Sequence, residues 1–375
     1  MRVLAVNAGS STLKLSVLEH GARRDAVTLT TTAAGPEAAA IEEVLARWQP
    51  VDAVGYRVVH GGTEFVSPVI VDDEVRRRLD QLVDLAPLHM PSSLAAVDEL
   101  RRLVPAVPHV ACFDTAFHAT LPPAAATYAL PEDWRASWPL RRFGFHGLSH
   151  AHAAARGAAL AGAAPASLRV VTCHLGAGAS LAAVRAGRSV DTTMGFTPLE
   201  GLVMATRAGS VDPGLLLWLE THAGLTPEEL ASGLQHRGGL TGLCGQGDMR
   251  AVLAAERDGD ERAALALAVY LHRLRAEIAA MGAAMGGLDV LVFTGGVGEG
   301  ASSIRARTAA GLHFLGVALD DERNRSAVPD AEVSAPGAGV RTFVIEAGED
   351  VQIAREVEAV LDGATAPGQA PAPGP

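Results

Sequence analysis

The stretch RVLAVNAGSSTLKLSVL, residues 2–18, reads as two strands around a glycine–serine turn. In the second strand Leu13, Leu15 and Val17 fall on one face, and Thr12, Lys14 and Ser16 on the other, which is the alternation of a half-buried strand. The same design returns at LRVVTCHLGAGASLAAVRAG, residues 168–187, again strand, glycine-rich turn, strand. The residue match is too loose for a sequence repeat, but one such hairpin per half points to two related domains. Further strands are expected in 52–62, 109–117, 288–300 and 340–346. Helices are expected over 36–48, roughly 73–85, 92–103, about 249–285, and after 349. Strands alternating with helices indicate an α/β fold.

A chain of 375 residues exceeds one ordinary core, and 49% apolar residues supply material for two. The formal net charge of −11 argues against a nucleic acid or an anionic membrane as main partner. Cys112, Cys173 and Cys244 are far apart and form no CxxC pair, so they read as thiols of a reduced, cytoplasmic compartment. No signal peptide is expected at the N-terminus. The apolar run 263–287 is interrupted by His272, Arg273, Arg275 and Glu277, which makes it a soluble helix rather than a membrane span. The Pro/Ala/Gly tail 363–375 is expected to be disordered.

Lys14 is the single lysine of the chain, and Asn7 is one of two asparagines, the other being Asn324. Both Asn7 and Lys14 flank the first glycine turn. There is no GxxxxGK[ST] loop and no dinucleotide GxGxxG followed by an acid. Strand-terminal glycine turns instead let backbone N–H groups approach an anion closely. The plain alternative for 7–12 is a tight hairpin turn beside an exposed lysine. Other stretches add chemistry: GYRVVHGG carries Arg57 and His60, FDTAFH carries Asp114, and RRFGFHGLSH carries Phe145 and His146. HLGAGAS is a second phosphate-type turn, TMGFTPLEGLVMATRAGSVDPG carries Pro198 and Arg207, and FTGGVGEG offers a glycine platform.

Together these stretches resemble the acetate kinase family, from residue 3 to about 360. That family belongs with the sugar kinases, heat-shock ATPases and actin. The resemblance implies two related actin-like ATPase domains of the ribonuclease H-like type facing a central cleft. The first would comprise 1–115 plus 349–362, and the second, for nucleotide binding and dimerisation, 116–348. It implies ATP- and Mg²⁺-dependent (or Mn²⁺-dependent) phosphorylation of acetate to acetyl phosphate, with propionate as the alternative acid, and a homodimer. By position, Asn7 and Glu349 would lie around the metal, with Asp114 nearby. Ser10, Thr12 and Lys14 would serve the phosphate-side turn, and His174, Gly176 and Gly178 the second turn. Arg57 and Arg207 would hold the carboxylate and the phosphoryl group, and His146 would bond the phosphoryl oxygens. Val59, Leu88, Phe145 and Pro198 would line an apolar pocket, and Gly296, Val297, Gly298 and Gly300 would contact the adenosine.

The chemistry suits this set. A carboxylate acceptor has a pKa of about 4 to 5 and needs no general base at neutral pH. Its difficulty is meeting a second anion, and arginines pair with both in planar geometry. A non-catalytic nucleotide-binding regulator of the same fold is the rival reading. Its signature would be the departures at Ala177 and Gly300, where the family has asparagines. His60, His89, His118, His150 and His174 read as structural hydrogen-bond partners rather than catalysts. His146 and His150 lack the glutamate of HExxH, which argues against zinc. Arg141 and Arg142 read as a solvated pair, Glu299 as a turn acid, and Asp212 as a helix start.

Overall fold

In the computed structural model, which describes residues 1–9, 12–32, 35–36, 38–87 and 89–363, the first hairpin opens a seven-stranded sheet. Ser10 and Leu88, both expected at the site, and the tail from 364 lie outside the described residues. The chain divides into two compact units. One comprises Met1–Thr120, Phe145–His152 and the described residues from Gly348; the other comprises Leu121–Gly144 and Ala153–Ala347. The segment Phe145–His152 groups with the first unit, whereas the sequence reading places 116–348 in the second.

In the first unit the strands are β1 (Arg2–Ala8), β2 (Thr12–Glu19), β3 (Ala22–Thr32), β4 (Gly35–Pro36), β5 (Ala53–Val58), β6 (Val69–Ile70) and β7 (His109–Phe113). Their order across the sheet is β4-β3-β2-β1-β5-β7-β6. β1, β2 and β3 form an antiparallel meander, while β5 runs parallel to β1 and β7 parallel to β5. Val3, Leu4, Ala5 and Val6 are all buried, so β1 is apolar on both faces, as a covered central strand must be. One face carries Val3, Ala5, Ala53, Val110 and Cys112 against Ile353, Ala354 and Val357 of the helix Glu349–Leu361. Gly55 makes that approach possible. A Cβ there would sit 2.5 Å from Ile353 Cγ2 and 2.6 Å from Val357 Cγ2.

The expected alternation in β2 holds for Leu13, Leu15 and Val17, which are buried, and for Lys14, which is exposed. Ser16 departs from it. It is 8% exposed, because the helix Glu349–Leu361 covers its face and the Asp350 carboxylate accepts bonds from Ser16 and Arg23.

The second unit repeats the plan with β8 (Arg169–Leu175), β9 (Ala179–Arg185), β10 (Arg188–Thr192), β11 (Val290–Thr294), β12 (Ala331–Glu332) and β13 (Arg341–Val344). Their order is β10-β9-β8-β11-β13-β12, again a meander followed by two parallel strands. The five strands β3-β2-β1-β5-β7 of the first sheet and β10-β9-β8-β11-β13 of the second share one topology, which is what the paired hairpins predicted. The Ala-rich stretch forms two helices, Met249–Arg257 and Glu261–Met285, broken where Gly259 takes φ +91° and Asp260 caps the second. The longer helix lies on β8, β9 and β10. No helix among the described residues is long and apolar enough to cross a membrane.

One buried acid on the helix Glu349–Leu361 makes stability depend on pH. Part of the Glu356 stem reaches solvent, but its Oε2 is shut off without a hydrogen-bond partner, while Oε1 accepts from Gln352 at 3.1 Å. Burial pushes its pKa up to about 7. The folded state therefore keeps a proton that the unfolded chain has released, and stability falls as pH rises from the usual carboxylate range to about 7. The loss is about 3 kcal/mol. Glu356→Gln should abolish it: in thermal unfolding at pH 5 and pH 8, the variant should gain on the wild type only at pH 8. An equal difference at both pH values would show that Glu356 does not titrate in the fold.

Candidate active site

The strand register assembles the first group of side chains. Val6 lies opposite Tyr56, and Arg57 opposite Cys112. With a period of two, Asn7, Arg57 and Asp114 therefore share one face at the same end of the sheet, and Lys14 lies opposite Asn7 on β2. That face is the one covered by the helix Glu349–Leu361, so the helix start delivers Glu349 to the same end. Gly348 precedes it at φ +53°, where a Cβ would lie 2.4 Å from the His152 ring.

These side chains form a continuous hydrogen-bonded chain. Arg57 Nη2 donates to Asp114 Oδ2 at 2.6 Å and Nε at 3.0 Å, while Nη1 donates to Asn7 Oδ1 at 3.2 Å. Asn7 Nδ2 donates to Glu349 Oε2 at 2.8 Å. The Asp114 side chain is 1% exposed, whereas Arg57 and Glu349 are 18% and 19% exposed, so the chain runs from the interior outward. Burial pushes the Asp114 carboxyl up against the opposing pull of Arg57. Burial also works against the Arg57 charge, but Asp114 and then Glu349 outweigh it and raise its pKa. Removing either partner of this pair would strand a buried charge, at a cost of about 3–5 kcal/mol.

The donors Asn7 Oδ1, Glu349 and Asp114 are all oxygens. No group of three His, Cys, Asp or Glu side chains suited to a metal exists among the described residues. That excludes neither magnesium nor manganese; Mg²⁺ takes one or two carboxylates and completes its octahedron with water and phosphate oxygens. The residues fit such an ion.

His146 stands on strained backbone. Its φ of +56° is left-handed, a conformation that non-glycine residues adopt at a cost of about 1–3 kcal/mol. Asp114 holds it there. Its carboxylate accepts the His146 backbone N–H, and its carbonyl accepts Gly147 N–H at 3.0 Å. A Cβ on Gly147 would fall 2.0 Å from that carbonyl, so only glycine fits. His118 Nε2 donates to Phe145 O at 3.1 Å, and the His60 ring meets Phe145 edge-on at 5.5 Å. Burial lowers the His60 pKa to about 4, and its Nδ1 accepts Gly62 N–H at 2.9 Å. His60 and His118 thus serve structure. Val59 and Phe145 are buried at 7% and 1% exposure.

The remaining residues lie in the second unit. Arg207 Nη1 donates to Pro198 O at 3.3 Å, which brings those two together, and burial pushes its pKa down. His174 is the penultimate residue of β8, and the turn after the strand closes by Gly176 N–H to Gly178 O at 3.0 Å. Thr12 closes the corresponding turn of the first unit, its carbonyl accepting Gly9 N–H at 2.7 Å. Gly296, Val297, Gly298 and Gly300 form a short helix, Gly295–Gly300, rather than the turn expected. Gly295 must be glycine, at φ +75° with a Cβ position 2.8 Å from Leu175 O. At Gly296 and Gly300 an added Cβ would meet nothing within 4 Å, which leaves a bare surface.

Two readings from the sequence change here, and one residue was missed. Glu299 is no mere turn acid, since its Oε1 accepts N–H groups of Gly295 and Ala347, both at 3.0 Å. Arg142 is not solvated: it is 17% exposed and pairs with Glu200 at 2.8 Å. Arg305 was not singled out in the sequence, yet it is 1% exposed beneath the platform. Its Nη1 donates to Gly298 O and Glu299 O at 2.8 and 2.7 Å, and Nε and Nη2 donate to Asn324 at 2.8 and 2.7 Å. The rarity of asparagine in the chain was the only hint, because Asn324 is its second asparagine.

Comparisons with known proteins agree with this geometry. The sequence pattern of the acetokinase family matches residues 37–355. Over 316 residues the chain is 48% identical to the acetate kinase of Clavibacter michiganensis, a match covering 84% of this chain and 80% of that one. The solved structure of Porphyromonas gingivalis acetate kinase is similar with a TM-score of 0.87 at 34% identity, covering 96% of this chain and 99% of that one. A propionate kinase from Francisella tularensis is similar with a TM-score of 0.87 at 31% identity, covering 95% and 98%.

The bonds of Arg305 set an expectation for the platform. Arg305→Met would leave the Gly298, Glu299 and Asn324 carbonyls without their donor, and each buried unsatisfied group costs about 1–3 kcal/mol. The variant should lose about 3 kcal/mol or more in urea unfolding, and Asn324→Ala about 1–2 kcal/mol. Arg305→Met with the wild-type midpoint would mean that water replaces the guanidinium freely.

Proposed function

The chain belongs to the acetokinase family, a family of carboxyl-directed phosphotransferases, and on that premise we propose that it converts acetate and ATP reversibly to acetyl phosphate and ADP by direct in-line transfer. The observation that carries the reading is the chain from Asp114 through Arg57 and Asn7 to Glu349. It presents a fixed cation and an oxygen ligand set side by side, which is what a reaction between two anions requires.

Each residue then has a task. Asp114 engages Nε and one Nη2 proton of Arg57, and Asn7 engages one Nη1 proton. Of the five N–H groups of a guanidinium, two remain to hold an anion. Arg57 and Arg207 neutralise the carboxylate and the phosphoryl group, and His146 donates to the equatorial oxygens where charge spreads. Asn7 and Glu349, with Asp114 behind them, would hold Mg²⁺, or Mn²⁺ in its place. When bound, the ion would supply charge neutralisation at the phosphate oxygens. Lys14, with Thr12 and Ser10, serves the phosphates as a compact cation beside hydroxyl donors, as do His174, Gly176 and Gly178 at the second turn. The bare glycines Gly296 and Gly300, with Val297 and Gly298, take the adenosine. Val59, Leu88, Phe145 and Pro198 receive the acyl methyl. Acetate is preferred, with propionate second; the structural similarity to a propionate kinase favours testing it, and one methylene in an apolar pocket discriminates only about 10–200-fold.

The proposal extends to a cytoplasmic homodimer. Cys112, Cys173 and Cys244 are free thiols, in keeping with a reduced compartment. The helix Pro213–Thr221 buries no side chain and leaves Leu215, Leu217 and Trp218 exposed at 46%, 63% and 53%, an apolar surface that a partner would cover. Trp218→Glu should convert the dimer to a monomer in sedimentation. An unchanged mass would remove this helix from the interface.

Hydroxylamine trapping of acyl phosphate from ATP, Mg²⁺ and acetate, propionate or butyrate tests the activity. The wild type should form product best with acetate, and Arg207→Ala should lower kcat by about 10²–10³. If no acid gives product while ATP still protects the chain against thermal unfolding, a nucleotide-binding regulator becomes the better reading.

A further inference from the structure

The segment 193–210, which holds Pro198 and Arg207, contains no helix or strand, so its shape must be imposed by bonds from elsewhere. Its second half is tied to itself, by Gly201 N–H to Ser210 Oγ, by Ser210 N–H to Gly201 O, both at 3.0 Å, and by Met204 N–H to Arg207 O at 3.1 Å. It is also tied to neighbouring segments, by Ala205 N–H to Ala177 O and Ala208 N–H to Leu234 O, both at 3.1 Å, and by Thr206 Oγ1 to Gln235 O at 2.8 Å. Its first half is held by three side chains that the reaction does not use. Tyr128 OH accepts Phe196 N–H at 2.9 Å and donates to Glu200 Oε2 at 2.7 Å. Arg142 Nη2 donates to Glu200 Oε1 at 2.8 Å and Nη1 to Thr193 O at 3.2 Å, with its guanidinium over the Tyr128 ring at 5.6 Å. Phe143 and Gly144 N–H groups close the frame on Gly195 O at 3.0 and 3.3 Å. The fit leaves no room: a Cβ on Gly195 would lie 1.8 Å from Glu200 Oε2 and 2.1 Å from Tyr128 OH.

We infer that Tyr128, Glu200 and Arg142 are positioning residues for Arg207, acting through the strut Phe196–Pro198. The strut ends on the Pro198 carbonyl, which accepts from Arg207 Nη1 at 3.3 Å. A guanidinium on a flexible stem needs such an anchor to meet a planar anion in bidentate geometry. Displacing the Pro198 carbonyl would turn the Arg207 fork and shift the apolar Pro198 ring together. The consequence falls on the acid and not on the nucleotide, because none of these bonds touches the glycine platform at 295–300. Tyr128 is suited to a fixed strut, since burial and the Glu200 carboxylate push its pKa up to about 12 and it keeps its proton throughout the neutral range.

The inference rests on the reading of Arg207 as a substrate-holding residue, and a double-mutant cycle separates the two. In the full-length chain, Tyr128→Phe removes one hydroxyl and keeps the ring. It should lower kcat/KM for acetate about tenfold while the KM for ATP stays within twofold. In an Arg207→Lys background the same change should do almost nothing further, because the group being positioned is already lost. Should Tyr128→Phe fail to fold, Glu200→Gln keeps the side-chain length and carries the same comparison. Equal losses in both backgrounds, or a KM for ATP rising with that for acetate, would overturn the positioning role. If Arg207→Lys alone leaves acetate kinetics unchanged, it is the role of Arg207 itself that fails.

Discussion

A guanidinium seated on a buried carboxylate, Arg57 on Asp114, organises the first unit of this protein. The pair is affordable because each partner satisfies the other and the leftover donors and acceptors find further partners in Asn7 and the His146 backbone. Asp114 acts in two directions at once. Its carboxylate orients the cation, and carboxylate and carbonyl together hold His146 and Gly147 in a conformation that the chain would not adopt unaided. A single acid therefore fixes the spacing between a positive charge and an imidazole, two groups separated by 89 positions in sequence. Phosphoryl transfer gains most from this kind of fixed spacing, since its protein groups mainly position and neutralise.

The close approach of elements around that pair rests on glycines with no spare volume. Gly55 admits the helix that carries Glu349, Gly348 turns the chain into that helix against His152, and Gly147 lies against the Asp114 carbonyl. Each is a place where any side chain would push apart elements that now lie in close contact. The glycines at 296 and 300 are of a different kind, because an added Cβ there would meet nothing within 4 Å among the described residues.

Much of this was legible in the sequence for a simple reason. Strand periodicity is local, so residues 2–18 and 168–187 announce two hairpins, whereas the face shared by Asn7, Arg57 and Asp114 emerges only with the strand register. What stayed illegible depends on contacts between distant segments. Ser16 belongs to a polar row by alternation but is covered by a helix more than 300 positions away. Arg142 reads as half of a charged pair, yet Glu200, 58 positions on, takes it out of solvent. Arg305 sits in an ordinary helix, and its burial follows from carbonyls and an asparagine brought to it by folding. Charge in a sequence suggests exposure, and only the partners decide whether exposure follows.

The shared strand order of the two sheets shows how one architecture supports two kinds of binding surface. At the end of the first sheet the register sets Asn7 beside Arg57 and, one strand over, Asp114. At the same end of the second sheet, His174 lies opposite Thr294, and the chain beyond the parallel strands supplies Gly295 and Ala347. There the Glu299 carboxylate binds the two backbone N–H groups, and Arg305 binds the carbonyls of the helix that follows. The first sheet edge thus exposes charged side chains braced by one another. The second turns its charged side chains inward, so that they brace a backbone surface without side chains. A surface of the first kind suits small anions and a hard cation, and one of the second suits a flat, largely uncharged ring. Two copies of one strand order thus carry opposite placements of charge.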